Sequence, residues 1–175
     1  MRNPGLKYGM WGAISVVLYF LMFYFVKKEL FLNPGVQWGS MLIYIACMYK
    51  AAEEDMQLKG ISRDFRLLSR PPFIAFLVIN LAYWLYYYGL HLADPSMLTL
   101  QTDMQLEMLR QTIADGVGDP EHANKIREQI NYLENEGMSM TLGPVLMRMT
   151  MGAIGGFALS AILVFVIKRK LGGVQ

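Results

Sequence analysis

Residues 71–90 read PPFIAFLVINLAYWLYYYGL, an uninterrupted run with one amide, Asn80, and no charged side chain. A bilayer core about 30 Å thick needs roughly 20 helical residues to span it, so this run is long enough to cross. Three further stretches share the property: Tyr8 to Val26, Phe31 to Tyr49, and Leu142 to Ile167, with Arg148 the one charge among them. Lipid rather than water is therefore the expected solvent for most of the chain. Between the third and fourth stretches lies a polar segment, 94–137, rich in acidic residues.

Composition points the same way. Of 175 residues, 54% are hydrophobic and 17% charged, with a mean hydropathy of +0.30. The charged share is well under the roughly 25% of a soluble domain. A soluble fold could bury one such helix; burying four would need more covering surface than the rest of the chain supplies. A net charge of +2, with no basic run interleaved with aromatics, argues against nucleic acid as a partner. Cys47 is the single cysteine, so neither an internal disulfide nor a cysteine metal cluster is expected. The first stretch is read as a retained span rather than a cleaved leader. It is longer than a leader's apolar region and runs into Lys27 and Lys28 without a small-x-small cleavage site.

The basic residues orient the spans. With the N-terminus inside, ten of the 16 Lys and Arg fall on inner segments: Arg2, Lys7, Lys50, Lys59, Arg63, Arg66, Arg70, Lys168, Arg169 and Lys170. Tyr83, Trp84, Tyr86, Tyr87 and Tyr88 crowd the outer end of the third span, where amphipathic rings favour the headgroup layer. Both termini are thus expected in the cytoplasm of a bacterial cell and the acidic insert outside its inner membrane.

Local signals refine the elements. Asn33 and Pro34 cap and open the second span, which is expected to run on past the membrane through Glu53, Glu54 and Asp55 to a stop at Gly60. Residues 61–70 mix basic and apolar side chains. Two readings stand: an ordinary positive inner loop, or a surface segment with Phe65, Leu67 and Leu68 inserted and Arg63, Arg66 and Arg70 at lipid headgroups. Pro71-Pro72 is expected to open the third helix. Asp94-Pro95 and Asp119-Pro120 each give a cap and a first-turn proline, predicting helices from Pro95 to about Ala114 and on to about Glu136. Met97, Leu100, Met104 and Met108 run down the first, with Leu98, Leu109 and Ile113 beside them. Ala123, Ile126, Ile130 and Leu133 form a heptad-like seam on the second, so the two are expected to pair as a hairpin.

Few residues suggest chemistry. Gly5, Gly9 and Ala13 make one small-residue stripe, and Gly152, Gly156 and Ser160 another. Such stripes let helices approach closely where lipid offers no hydrophobic drive, within the protomer or against a partner subunit. Asn80 is expected to be interhelical glue, with a polar point on a substrate path as the alternative. Arg148 is expected to snorkel to the outer headgroups, or to pair with Asp94 or a lipid phosphate. His91 and His122 have no ligand-spaced neighbours, and the Met138, Met140, Met147, Met149 and Met151 cluster reads as packing rather than a copper site. The carboxylate run Glu53, Glu54, Asp55 is the one place where inner-surface catalysis would have ligands, against the plainer reading of a solvated helix end. No metal or other cofactor is expected.

In their order, Asn3-Pro-Gly-Leu-Lys-Tyr-Gly9, the Lys50-to-Gly60 segment before Ile61-Ser62, the acidic Met- and Gln-rich hairpin, and the glycine-bearing last helix ending Lys168-Arg-Lys170 resemble a family of bacterial four-span membrane proteins. The family is common in Bacteroidota and described only as a domain of unknown function. The resemblance implies no catalytic residues, and an accessory role near polyprenyl-phosphate glycosyltransferases. The expectation is an all-α integral membrane four-helix bundle, one domain over 1–175, with an extracytoplasmic helical hairpin between spans 3 and 4. Its expected function is that of a non-enzymatic accessory or scaffold subunit, or else a small lipid-handling carrier. The partners expected are membrane lipids and either other membrane subunits or a second copy.

Overall fold

The computed structural model describes residues 3–60, 64–116, 120–137 and 141–172. Among these the chain forms seven helices and no strand: α1 (Pro4–Val26), α2 (Lys28–Leu32), α3 (Pro34–Lys59), α4 (Phe65–Ala93), α5 (Ser96–Ala114), α6 (Pro120–Glu136) and α7 (Leu142–Gly172). Three of them, α1, α4 and α7 over Leu142–Lys170, are long and apolar enough to cross a membrane. The stretch from Phe31 to Tyr49 does not qualify. It is split at Asn33 between α2 and α3, and α3 dilutes its apolar positions with Gln37, Ser40 and a charged end beyond Tyr49.

The chain divides into two compact units, Met1–Tyr87 with Leu142–Gln175, and Tyr88–Thr141. The second therefore begins inside α4 rather than at Asp94.

In the first unit the helix starts follow from local chemistry. The side chains of Asn3 and Asn33 accept from the backbone N–H of Gly5 (3.0 Å) and Gly35 (2.8 Å), and Pro4 and Pro34 fill first-turn positions that need no donor. Gly60, at φ +76°, closes α3. Helix α4 departs from expectation. It starts at Phe65 and carries Pro71 and Pro72 inside it. Two internal prolines remove the donors that would pair with the Leu67 and Leu68 carbonyls. Side-chain bonds reinforce the turn before them: Asp64 Oδ1 accepts from the Arg66 N–H (2.9 Å), and Ser69 Oγ donates to the Phe65 carbonyl (3.0 Å). Both prolines are buried, so packing offsets the lost bonds.

Residues 65–70 are thus the first turns of a long helix and not a separate surface segment. Leu68 enters the core with Ala52, Met56, Val164 and Ile167, while Phe65, Leu67, Arg66 and Arg70 stay exposed. Arg63 lies outside the described residues.

Helix α1 runs antiparallel to α3. Lys7 pairs with Glu54 (2.7 Å) at one end, and the Tyr19 hydroxyl donates to the Val36 carbonyl (3.1 Å) toward the other. Lys170, near the end of α7, donates to the Tyr49 hydroxyl (3.2 Å). Helix α1 also lies flat on α4. A methyl on Gly5 would sit 2.6 Å from the Pro71 carbonyl oxygen, and one on Gly9 would sit 2.9 Å from Val78 Cβ. One on Gly12 would overlap Ile79 and crowd Cys47 of α3. The contact stripe is therefore Gly5, Gly9 and Gly12; the expected third member, Ala13, is half-buried beside it.

Phe31 of α2 is fully buried, stacked on Tyr87 (5.9 Å between centroids, 18°) and edge-on to Phe20 (5.4 Å). Tyr83 packs on Phe20 (5.1 Å). Tyr83 and Tyr87, two of the five rings at this end of α4, thus join α1, α2 and α4.

In the second unit, α5 starts one residue later than expected because Asp94 Oδ1 takes both the N–H and the hydroxyl of Ser96. The α6 seam is as expected, with Ile126 and Leu133 buried and Ala123 and Ile130 half-buried. On α5, Met97 is fully buried and Leu98, Leu100, Met104, Leu109 and Ile113 are half-buried, as expected, but Met108 is 63% exposed and Leu106 is buried in its place. Leu106, Leu109 and Ile113 share one helical face, and Met108 points to the opposite side. Arg110 and Glu134 bridge the two helices at 2.6 Å. Asp119, the expected cap of α6, lies outside the described residues.

Gly5→Ala is expected to cost about 1–3 kcal/mol, since its methyl meets backbone that cannot move aside. Gly143→Ala, with nothing within 4 Å, is expected to be neutral or mildly stabilising. Thermal unfolding in detergent, followed by tryptophan fluorescence, measures both.

Candidate functional site

The opposite side of α4 meets α7. Gly156 receives the Phe76 ring, where any Cβ would overlap it, and Phe73 packs edge-on against Phe157 (5.6 Å, 85°). Ser160 is fully buried and turns its hydroxyl back to the Gly156 carbonyl (2.7 Å), so it closes the stripe without reaching outward. Gly152 lies under Asn80: a methyl there would sit 3.2 Å from Asn80 Oδ1. The space lets Asn80 Nδ2 donate to the Met149 carbonyl at 3.1 Å. Both expected stripes, with Gly12 replacing Ala13, are therefore used inside the protomer, on two sides of one helix.

Beside this contact lies a cavity of about 540 Å³ between α3, α4 and α7. Met41, Phe76, Trp84, Ala158, Leu159 and Ile162 supply much of its apolar wall. Polar groups reach it from all three helices: Gln37, Ser40 and Tyr44 of α3, Asn80 and Tyr83 of α4, and the exposed Arg148 of α7. Several of them are already engaged. The Gln37 amide accepts from the Tyr83 hydroxyl (2.8 Å) and donates to the Phe31 carbonyl (2.8 Å), and Ser40 donates to the Gln37 carbonyl (2.7 Å). Two groups retain capacity. Tyr44 and Asn80 are each only 5% exposed, yet the Tyr44 hydroxyl and Asn80 Oδ1 have no partner among the described residues. Gly155 lines the same wall with nothing within 4 Å of its Cβ position.

The carboxylate run at the end of α3 does not converge. Glu53 pairs with Lys50 (2.8 Å), Glu54 with Lys7 (2.7 Å), and the buried Asp55 with Lys59. The Lys50 hydrogen bond holds the Glu53 carboxyl below its ordinary range. That pair's contribution is complete above the usual carboxylate pKa and is lost as pH falls through the lowered one. Among the described residues no three His, Cys, Asp or Glu lie close enough to hold a metal ion. His91 is buried at the end of α4 and His122 is exposed on α6. Met147 and Met151 are about 60% exposed on α7, while Met138 and Met140 lie outside the described residues.

No family model, curated protein or solved structure matches this chain. The reading of its site rests on geometry alone.

Asn80 and Arg148 were visible in the sequence as polar breaks in apolar runs. Tyr44, Gln37 and Gly155 were not. The adjacent Gly155-Gly156 pair carried a signal, because two neighbouring glycines cannot both face one helix.

Gly156→Ala is expected to destabilise the protein by about 1–3 kcal/mol, and Phe76→Leu in the same chain to recover part of that loss. A double-mutant cycle on detergent unfolding reads the coupling; strict additivity would disprove the contact.

Proposed function

We propose that this chain is an integral membrane protein with four crossings that binds a lipid-like amphiphile in the cavity between α3, α4 and α7. The carrying observation is that cavity: apolar over most of its wall, about 540 Å³ in volume, and bordered by one cationic side chain, Arg148. Pockets of about 300–1,000 Å³, largely apolar with a few placed polar groups, are the usual form of small-molecule sites. The role is binding or presentation rather than catalysis, because the wall offers no nucleophile beside a base.

Helix α3 is the fourth crossing on this reading. It is too polar to enter lipid alone, but it lies antiparallel along α1. The Gln37 side chain bonds to α2 and α4 and Ser40 to its own helix, which is the condition for polar groups at membrane depth. The basic inner segments then place both termini in the cytoplasm and α5–α6 outside.

Such a protein can serve as an accessory subunit, with the cavity presenting a lipid to a neighbouring enzyme. Docking a partner through the glycine stripes is harder to sustain, since α4 covers five of the six residues that make them, Gly5, Gly9, Gly12, Gly152 and Gly156.

Two experiments test the proposal. In a Cys47→Ser background, Gln105→Cys and Asn131→Cys are expected to react with membrane-impermeant maleimide from outside intact spheroplasts; reaction only after lysis would reverse the topology. Gly155→Trp is expected to abolish photo-crosslinking of a diazirine-tailed fatty acid while unfolding stays close to the parent's. Undiminished labelling would sink the cavity reading.

A further inference from the structure

The binding reading leaves open what the cavity recognises, and the unpartnered polar groups decide that. Asn80 is 5% exposed and lies on the cavity wall. Its amide orientation is set by chemistry rather than by choice. The group facing the Met149 carbonyl must be the donor, because a carbonyl oxygen can only accept. The remaining oxygen, Oδ1, is therefore an acceptor with no protein partner. Oδ1 faces the cavity, so a ligand that brings a donor gains a hydrogen bond there. Water in the cavity can serve as a stand-in when no ligand is bound.

Arg148 lies four residues before Gly152 on α7, which is one helical turn or about 6 Å along the axis. Gly152 is the residue against which Asn80 rests. A cation and a hydrogen-bond acceptor are thus spaced about one turn apart along the same wall. Beyond them toward Ile162 the wall is apolar, with Leu159, Ala158 and Phe76. Across from Asn80, on α3, the Tyr44 hydroxyl can donate to or accept from the same region of a ligand.

We propose that the cavity selects an anionic amphiphile carrying an N–H or O–H donor close to its charged group. The anion meets the Arg148 guanidinium, the donor meets Asn80 Oδ1, an adjacent ligand carbonyl or hydroxyl meets Tyr44, and the tail follows the apolar wall. N-acyl amino acids and hydroxylated acyl lipids have this pattern; ionised simple fatty acids do not. The inference rests on the proposed lipid-binding function and adds a donor requirement that the cavity's shape alone does not impose.

Two probes isolate that requirement. N-lauroylglycine has an amide N–H beside its carboxylate. N-lauroylsarcosine is the same molecule with that hydrogen replaced by methyl. Each competes, below its own micelle concentration and in dodecylmaltoside micelles, against the diazirine-tailed fatty acid on the full-length protein. N-lauroylglycine is expected to compete about tenfold better, the value of one buried hydrogen bond. Arg148→Gln is expected to weaken both probes by a similar factor, about tenfold or more, and to leave their ratio intact. Tyr44→Phe keeps the ring in place and is expected to weaken both without changing their order. Equal competition by the two probes on the parent protein, with labelling still lost in Gly155→Trp, would overturn the donor requirement and spare the cavity. Labelling that persists in Gly155→Trp, with neither probe competing, would overturn both.

Discussion

One helix organises the first unit. Helix α4 is gripped on one side by Gly5, Gly9 and Gly12 of α1 and on another by Gly152 and Gly156 of α7. In water such helices would be pressed together by the hydrophobic effect. In lipid that drive would be absent, and the contact would depend on dispersion, up to half of which is lost over a gap of about 1 Å. Glycine is the residue that permits the approach. The cost of each glycine to helix propensity, about 1 kcal/mol in water, is accepted for the packing it allows.

The grip also shapes the cavity. Gly152 lowers the α7 surface enough for the Asn80 amide to reach a backbone carbonyl, and that bond sets which end of the amide faces inward. Gly155, next to the gripping Gly156, turns away from α4 and leaves the cavity wall without a side chain. The α4 contact and the open cavity wall are therefore built from neighbouring members of one glycine cluster. Across the cavity, the Gln37 amide ties α2, α3 and α4 with one bond from its NH2 and one to its oxygen. The Tyr44 hydroxyl makes no such bond and faces the same cavity.

Much of this could be read along the chain. The apolar runs, the Asn-Pro starts of α1 and α3, the stop at Gly60 and the seam of α6 all depend on neighbours within a few residues, so local sequence carries them. Where the reading failed, distant residues decided the outcome. Pro71-Pro72 signals a helix start, yet Asp64, Ser69 and burial of the two rings carry α4 back to Phe65. Met108 fits an apolar stripe with Met97, Leu100 and Met104, but it is exposed and Leu106 is buried instead. Ala13 fits an i, i+4 repeat, but the α1–α4 contact passes through Gly12.

By itself the sequence determined that the chain is helical, that long stretches of it suit lipid, and where most helices begin and end. These follow from composition, periodicity and capping, which act over one or two turns. Only the tertiary structure decided that both glycine stripes close on the same helix, that Tyr44, Asn80 and Arg148 border one cavity, and that two of those groups keep hydrogen-bonding capacity. Residues 44, 80 and 148 are far apart in the chain, and their meeting depends on how three helices pack side by side, which no local pattern records.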